Sequence, residues 1–401
     1  MTDFDVIVVG GRIAGASTAL LLARAGLRVA VVERSARGSD TVSTHGLMRA
    51  GVLQLHRWGL LGAVAATGAP PVHTTVFHYP DTAPVHVTIR PSLGVPALYA
   101  PRRRVIDGLL LDAAEDAGAV VLPETAVRSL IREEGRVAGV TLAARSGPER
   151  TLRAALTIGA DGFASLVARE CGAETLRRGR HASAVLYGHF AVPAEGYEWA
   201  YGTGAAAGLI PTNDGQTCVF VATTSGAMRR LRRDGPDAAF SALLRRVSPT
   251  LSERVQAGEG PSGRLHSWGG IPGWVRQPSG PGWALVGDAG FFRDPITAHG
   301  MTDALRDADL LATAVVETMS GGLPEAVAMA EYRVLRDRLS RRLFEISDRI
   351  AAYDWTFEQL RGLLRAHSAA MSDEVDHLSS LPARVPHLSG PLPAVRLPYA
   401  G

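Results

Sequence analysis

The sequence has 401 residues, 46% of them hydrophobic, which is enough for a large core and for two joined domains. Its 42 basic and 39 acidic residues give a formal net charge of +3, and the two signs are interspersed. Because no long basic run occurs, the composition does not indicate nucleic acid as a partner. The sequence contains no lysine, so mechanisms that use a lysine nucleophile or base are excluded.

The N-terminus and the cysteines indicate a cytoplasmic location. The first residues, MTDFD, are acidic and lead directly into an apolar run, unlike a secretory signal. No apolar stretch reaches transmembrane length, so no membrane association is expected. Cys171 and Cys218 lack the C-x-x-C spacing, and we expect reduced thiols rather than a disulfide or a metal site.

The N-terminal segment predicts a strand, a tight turn and a helix. Residues 6–9 form an apolar run typical of a strand buried on both faces, and residues 13–25 carry apolar side chains at helical spacing. Gly10 and Gly11 permit the turn, and Gly15 lets the helix approach the strand closely. The start of such a helix presents free N–H groups and partial positive charge to a pyrophosphate. The pattern therefore predicts a dinucleotide site.

Two further features of this segment bear on its ligand. Glu33 ends the second strand, where a carboxylate accepts hydrogen bonds from an adenosine ribose and repels a 2′-phosphate. Arg12 stands where the G-x-G-x-x-G pattern places its second glycine, and its guanidinium either pairs with the pyrophosphate, which we prefer, or points outward. An ordinary βαβ unit without a nucleotide is the alternative. The residues assigned to this part of the site are Gly10, Gly11, Arg12, Ile13, Ala14, Gly15, Glu33 and Arg34.

Two later segments accompany the first. GADGFASLVAR occupies positions 159–169, and GDAGFFRDPITAHG occupies positions 287–300. In this order the three segments resemble those of the flavoprotein aromatic monooxygenases of the p-hydroxybenzoate hydroxylase type, also called group A. The resemblance spans most of the chain and implies FAD as the cofactor.

The resemblance assigns roles within the second and third segments. Asp161, with Gly162, Ser165 and Arg169, resembles the family's D-G-x-x-S-x-x-R segment, which touches the flavin and the path used by NAD(P)H. The carboxylate of the family's G-D pair binds the ribityl chain, and this pair is matched by Gly287 and Asp288.

A helix start follows in the third segment. Pro295 and Gly300 match the family's P-x-x-x-x-G, where a helix N-terminus faces the pyrimidine edge of the isoalloxazine. The backbone N–H groups of Gly300 and Met301 are the candidate donors to a reduced, anionic flavin.

Two arginines extend the resemblance. Arg49, in MRAGVL, resembles a flavin-contacting arginine of the family, and Arg103 precedes a helix predicted at 106–117. The alternatives are a surface arginine at Arg49 and a solvated basic turn around Arg103.

The implied architecture is an α/β fold with a discontinuous, Rossmann-like FAD-binding domain of the glutathione reductase type. Short β-rich runs predict a mixed β-sheet substrate domain. Helical periodicity at 324–352 and 355–367 predicts C-terminal helices, and the proline-rich sequence that follows predicts an extended arm. The predicted boundaries are 1–69, 97–180 and 281–325 for the FAD-binding domain, 70–96 and 181–280 for the substrate domain, and 326–401 for the C-terminal part.

The resemblance also implies a reaction. In such enzymes NADH or NADPH reduces FAD, O2 adds to the flavin, and a C4a-hydroperoxide oxygenates an aromatic or polyketide-like small molecule. Histidines are the candidate proton-transfer groups because their unperturbed pKa lies near neutrality. His299, beside Gly300, and His45, in STHGLM, are the catalytic candidates, and purely structural histidines are the alternative.

Other functions stay open. A flavin-dependent reductase of carbon–carbon double bonds, similar to geranylgeranyl reductases, is the first alternative, and a flavin-binding protein without turnover is the second. Flavin halogenases depend on an active-site lysine, so the sequence disfavours them. A homodimer is compatible with the sequence, which does not identify the substrate.

Overall fold

The computed structural model describes residues 2–143 and 149–381. The proline-rich arm predicted for the C-terminus lies outside the described residues. The strands in the described part are β1 (Phe4–Val9), β2 (Val29–Val32), β3 (Thr74–His78), β4 (Val85–Thr88), β5 (Val120–Leu122), β6 (Val127–Glu133), β7 (Arg136–Leu142), β8 (Arg150–Gly159), β9 (Thr175–Arg178), β10 (Ser183–Phe190), β11 (Tyr197–Gly202), β12 (Ala205–Pro211), β13 (Thr217–Thr224), β14 (His266–Trp268), β15 (Trp274–Arg276), β16 (Ser279–Gly280), β17 (Trp283–Leu285) and β18 (Phe291–Phe292). The α-helices in the same part are α1 (Ile13–Arg24), α2 (Arg49–Arg57), α3 (Leu61–Ala66), α4 (Arg103–Asp116), α5 (Leu166–Glu170), α6 (Ser225–Leu231), α7 (Pro236–Val247), α8 (Pro249–Gln256), α9 (Gly300–Met319), α10 (Glu325–Ile350) and α11 (Phe357–Ser380).

The first sheet is the Rossmann-like core. Its central strands are parallel and lie in the order β17-β8-β1-β2-β5, and β16 and the hairpin β6–β7 join it in antiparallel pairing. On β1, Val6 and Val8 pack into the cluster formed with the helices, whereas Ile7 and Val9 pack on the opposite face with the hairpin. Both faces of the strand are buried, as its continuous apolar run predicted.

The second sheet is mixed and has the order β14-β10-β13-β12-β11-β3-β4. Its neighbours are antiparallel except β11 and β3, which run parallel. Helices α6, α7 and α8 cover one face. The other face, which we call the inner face, packs against the Rossmann-like core. The structure is therefore the predicted α/β fold with a mixed sheet beside a Rossmann-like domain.

Two helices differ in extent from their predictions. Arg103 is the first residue of α4 rather than preceding it. The C-terminal helices, predicted at 324–352 and 355–367, are α10 and the longer α11. Apolar periodicity underestimates α11 because its buried face includes the polar side chains of His367 and Glu374. Within the described residues no helix is long and apolar enough to cross a bilayer.

The three motif segments meet at the carboxyl ends of β1 and β8. A Cβ added at Gly10 would lie 2.5 Å from the carbonyl oxygen of Ala160, and one added at Gly15 would overlap the carbonyl oxygen of Gly10. A Cβ at Gly287 would lie 2.8 Å from the Cβ of Ala14. Glycines are therefore required where the segments touch, because their backbones approach too closely for a side chain.

Replacing one of these glycines should destabilise the apoprotein. We expect Gly15→Ala to lower the free energy of unfolding by about 3 kcal/mol, since the new methyl group overpacks a rigid backbone contact. Gly62→Ala in α3 is the control, because a Cβ there meets no atom within 4 Å and should change stability by less than about 1 kcal/mol. Urea denaturation measures both, and equal stability of the two variants would contradict the close approach.

Candidate active site

Glu33 is held against the glycine turn. One carboxylate oxygen accepts the N–H of Gly11 at 2.7 Å, and the other accepts the N–H of Ser35 at 2.7 Å. These bonds orient the carboxylate at the end of β2 and leave it acceptor capacity for ribose hydroxyls, since each carboxylate oxygen accepts more than one bond. Arg34 beside it is exposed.

Asp107, on α4, organises the start of α1, although the sequence analysis did not single it out. Its Oδ1 accepts the N–H of Ile13 at 3.1 Å and the Nε of Arg103 at 3.0 Å. Its Oδ2 lies 3.4 Å from the guanidinium of Arg12, which also donates to Ser39. Two guanidiniums are thus gathered at the helix start where an anionic pyrophosphate is expected. Asp107 follows Arg103 by four residues, the spacing at which two side chains of a helix can pair, and this spacing was the sequence signal that could have identified Asp107.

Asp161 in the second segment binds the first residues of the short helix α5. Its Oδ1 accepts the hydroxyl of Ser165 at 2.5 Å, and its Oδ2 accepts the N–H of Leu166 at 2.6 Å. Burial raises the pKa of Asp161, and the bond from Ser165 opposes that rise. Arg169 lies one position beyond the spacing of the family segment, where this chain has Ala168, so that part of the match was wrong. The cofactor contact of Asp161 stays a prediction.

Asp288 in the third segment has a carboxylate without a hydrogen-bond partner among residues 2–143 and 149–381. Only its backbone carbonyl is engaged, by the indole N–H of Trp274 at 3.3 Å. Burial raises the pKa of Asp288 to about 6, and the positive charge of Arg103 opposes this rise. Gly287 adopts a left-handed conformation just before it, with φ of 59°. Such an acceptor next to the α1 start suits the hydroxyl groups of a ribityl chain.

The loop after Asp288 leads into α9. Pro295 begins a one-turn 3₁₀ helix, Ala298 adopts a left-handed φ of 46°, and Gly300 and Met301 are the first two residues of α9. The first N–H groups of a helix lack intrahelical partners, so this start can donate to an anionic group.

The segment that precedes α2 lies along this loop. A Cβ at Gly46 would be 3.1 Å from that of Ala298, and the N–H of Met48 donates to the hydroxyl of Thr302 at 3.0 Å. Arg49 begins α2, and its guanidinium donates to the carbonyl of Arg90 and to Ser92. A contact of Arg49 with the flavin therefore stays a prediction.

His299 lies in a buried charged cluster. Its Nε2 is 3.0 Å from a carboxylate oxygen of Glu374 on α11, and the other oxygen of that carboxylate accepts a bond from Arg306 at 2.8 Å. Burial and the nearby charge of Arg293 lower the pKa of His299, which disfavours the positive imidazole that would stabilise a reduced flavin. This geometry indicates that His299 joins α9 to α11, and its catalytic role stays a prediction.

His45 contacts the inner face of the second sheet. Its Nε2 lies 2.9 Å from the Nε2 of His189 on β10, and the hydroxyl of Tyr187 accepts the N–H of Ser43 at 3.1 Å. The inner face also carries large aromatic side chains. They are Tyr187, Tyr197, Trp199, Tyr201 and Phe220.

These residues fit FAD. The glycine turn leaves room for backbone to approach a pyrophosphate, since a Cβ at Gly10 or Gly15 would fill that space. The helix start carries two guanidiniums for the phosphates, and Asp288 and Glu33 offer carboxylate acceptors for sugar hydroxyls. Most of these residues were assigned from the sequence. The structure adds Asp107, whose carboxylate positions Arg12 and Arg103.

Comparisons with known proteins indicate the same cofactor. The family described as "FAD binding domain" matches residues 3–345. A digeranylgeranylglycerophospholipid reductase of Methanopyrus kandleri is 29% identical over 329 residues, which cover 76% of this chain and 74% of that protein.

Solved structures share the fold. PqsL of P. aeruginosa, in complex with 2-aminobenzoylacetate, superposes with a TM-score of 0.77 at 24% identity, over 92% of this chain and 99% of that chain. The flavin-dependent brominase Bmp2 superposes with a TM-score of 0.78 at 18% identity, over 94% of this chain and 92% of that chain. At these identities the likeness concerns the fold and not the reaction.

Asp288→Asn should separate cofactor binding from apoprotein stability. The folded-state pKa of Asp288, about 6, lies above the ordinary value of about 4, so its ionisation lowers stability progressively between about pH 4 and pH 6, and the loss is complete above pH 6. Without cofactor, the variant should be more stable than the wild type by about 2 kcal/mol at pH 8, and the difference should vanish below about pH 4. The same variant should retain less FAD after desalting, because an amide is a weaker acceptor for ribityl hydroxyls.

The control for this experiment is Asp354→Asn, since the side chain of Asp354 is 63% exposed. It should change neither FAD content nor the pH dependence of unfolding. Full FAD retention by Asp288→Asn would contradict the assigned role.

Arg12→Ala tests the departure from the glycine pattern. If the guanidinium reaches the pyrophosphate, the dissociation constant for FAD should rise about tenfold, with Arg12→Lys between the two because lysine lacks bidentate geometry. Arg28→Ala is the control, since Arg28 is exposed and pairs with Asp5. Fluorescence titration of FAD measures the constants, and an unchanged value for Arg12→Ala would limit Arg12 to its contacts with Asp107 and the 39–40 loop.

Proposed function

Because the chain belongs to the FAD binding domain family of flavoprotein oxidoreductases, we propose that it is a monooxygenase that uses NADH or NADPH and O2 to oxygenate an aromatic or polyketide-like small molecule. FAD, when bound, supplies the redox chemistry, taking electrons from the nicotinamide and passing them to O2. The protein's own residues bind the cofactor, hold the substrate beside it and exclude water.

The observation that carries this proposal is the composition of the inner face. Aromatic rings such as Trp199 and Phe220 offer flat apolar contacts, and the rings of Tyr187 and His266 stack with centroids 4.9 Å apart. The neutral polar groups of the His45–His189 pair lie on the same face. A planar substrate with an oxygen substituent matches both features, whereas a purely aliphatic chain would leave the polar groups unpaired.

The chain's own residues have distinct tasks in this proposal. The α1 start with Arg12 and Arg103 would hold the pyrophosphate of FAD, and Asp288 would hold its ribityl chain. The N–H groups at the α9 start, those of Gly300 and Met301, would donate to the isoalloxazine when FAD is bound and would favour negative charge on it.

A reductase of carbon–carbon double bonds is the second candidate. It is favoured by the similarity of this chain to the Methanopyrus kandleri reductase, which extends over three quarters of both proteins. Such an enzyme would transfer electrons from NAD(P)H to an unsaturated acceptor without O2. A flavin-binding protein without turnover is a third, weaker reading.

We further propose a cytoplasmic location and a small molecule rather than nucleic acid or membrane as partner. The cysteines Cys171 and Cys218 are not paired, which supports a reducing compartment. A homodimer belongs to the same proposal and is tested by size-exclusion chromatography with light scattering.

Simultaneous measurement of NAD(P)H oxidation and O2 uptake tests the reaction. With FAD-loaded protein and a panel of phenolic and polycyclic aromatics, we expect one aromatic to accelerate both rates equally, because the reaction consumes one O2 for each NAD(P)H. Anaerobic NAD(P)H oxidation with an unsaturated isoprenoid would identify the reductase instead. Absence of turnover with every acceptor would instead identify the third candidate, a flavin-binding protein without turnover.

A further inference from the structure

Two histidines from distant parts of the chain form a buried hydrogen-bonded pair. His45 lies in the loop before α2 and His189 lies on β10, and their exposed fractions are 1% and 4%. Their Nε2 atoms are 2.9 Å apart, their ring centroids are 5.1 Å apart and their planes are inclined by 25°, so the two rings meet edge to edge. Since a hydrogen bond between two imidazole nitrogens needs one donor and one acceptor, one Nε2 carries a proton and the other does not.

His45 has a second nitrogen without a partner. Its Nδ1 is fully buried and makes no hydrogen bond within the described ranges. Its backbone adopts a left-handed φ of 65°, which is unusual for a residue other than glycine and is retained mainly where the surroundings impose it. The neighbouring Gly46 packs on Ala298, so His45 sits beside the loop that leads into α9. Nδ1 of His45 is therefore free to bond to a group that is not part of the described chain, such as a ligand oxygen.

Both rings are neutral at physiological pH. Burial lowers the pKa of His45 well below its usual value and lowers that of His189 to about 4. The titratable and charged groups around the pair strengthen or oppose this effect. They are Arg102, Arg103 and Arg104 at the α4 start, His266 on β14, Tyr187 on β10, Cys218 on β13 and Asp40 in the loop after β2. The arginines disfavour a positive imidazole, and Asp40 favours one.

We propose that His45 and His189 form a proton relay that carries one proton between solvent and an oxygen of the ligand bound beside the α9 loop. The relay deepens the proposed function, on which the identity of the ligand rests. His45 is the catalytic residue because its Nδ1 contacts the ligand, and His189 is a positioning residue that acts through His45. His266, half-buried and 6.3 Å from His189 between ring centroids, marks the side open to solvent.

The proton count balances without charging either ring. At the start His45 carries its proton on Nδ1, and His189 carries its proton on Nε2. When Nδ1 of His45 gives its proton to the ligand oxygen, Nε2 of His45 takes the proton of His189, and Nδ1 of His189 takes one from water. Both rings remain neutral and exchange tautomers. The same steps in reverse remove a proton from a ligand hydroxyl.

A metal site is the competing explanation. His189 and Cys218 are directly paired neighbours on β10 and β13, and the ligand atoms of His45, His189 and Cys218 lie within 4.8 Å of one another. Two imidazole nitrogens on one tetrahedral zinc ion would be about 3.3 Å apart, however, given the usual metal–nitrogen distance. A metal-bound histidine also donates its other nitrogen to a fixed acceptor, and Nδ1 of His45 has none in the described part of the chain. The 2.9 Å separation therefore favours the hydrogen-bonded pair.

The first test needs no turnover. In apoprotein labelled with ¹⁵N-histidine, NMR at about pH 7 should show a scalar coupling between the two Nε2 nuclei and two neutral tautomers. His189→Asn should remove the coupling, whereas His86→Asn, at an exposed position on β4, should keep it. No coupling, a charged pair, or stoichiometric zinc or copper by metal analysis would overturn the relay.

The second test follows proton movement with p-nitrophenol as the probe. After a pH jump on FAD-loaded protein saturated with the probe, His189→Asn should slow ionisation of bound p-nitrophenol by about tenfold. Dissociation constants for FAD and for the probe should match those of the wild type and of His86→Asn. His189→Gln repeats the experiment if His189→Asn folds poorly.

The outcomes separate the relay from the proposed reaction. Equal ionisation rates in wild type and variant would overturn the relay even if NAD(P)H and O2 are consumed together. A slowed rate without any NAD(P)H oxidation would support the relay and overturn the monooxygenase.

Discussion

The cofactor site depends on three backbone segments that approach one another more closely than side chains allow. Gly10 touches Ala160, Gly15 touches the carbonyl of Gly10, and Gly287 touches Ala14. The hydrogen bond from the N–H of Ala160 to the carbonyl of Val9 joins the first two segments directly. Because this contact is between backbones, it sets where α1 begins, and the start of α1 sets where a pyrophosphate can bind.

Buried charges fix the second helix start, that of α9. Arg306 is fully buried and contacts the carboxylates of Asp303, Asp307 and Glu374. Removing one partner from such a cluster leaves an uncompensated buried charge, which strongly disfavours rearrangement. Since Glu374 belongs to α11, the cluster ties the C-terminal helix to the start of α9, and His299 takes part in this connection.

The fold alone does not select a reaction. Similar structures include the brominase Bmp2 and PqsL, and a similar sequence is a reductase of a phospholipid. The names of these proteins describe different reactions, so the likeness in fold does not choose among them. In this chain the inner face of the second sheet packs against the Rossmann-like core, and the pair of His45 and His189 brings two hydrogen-bonding rings into this aromatic surface. If a substrate binds there, as we propose, these polar groups select its chemistry more strongly than the apolar contacts do, because an unpaired buried polar group is costly.

The sequence by itself determined the elements whose signals are local. The apolar run at residues 6–9, the glycine turn and Glu33 predicted β1, α1 and the dinucleotide site, since strand burial and helix-start chemistry depend on neighbours along the chain. Only the tertiary structure decided which distant groups meet. Asp107 caps α1 from another helix, Glu374 reaches His299 from α11, and His189 reaches His45 across 144 positions. A lone aspartate or histidine carries no periodicity, so its partner is set by how sheets and helices pack.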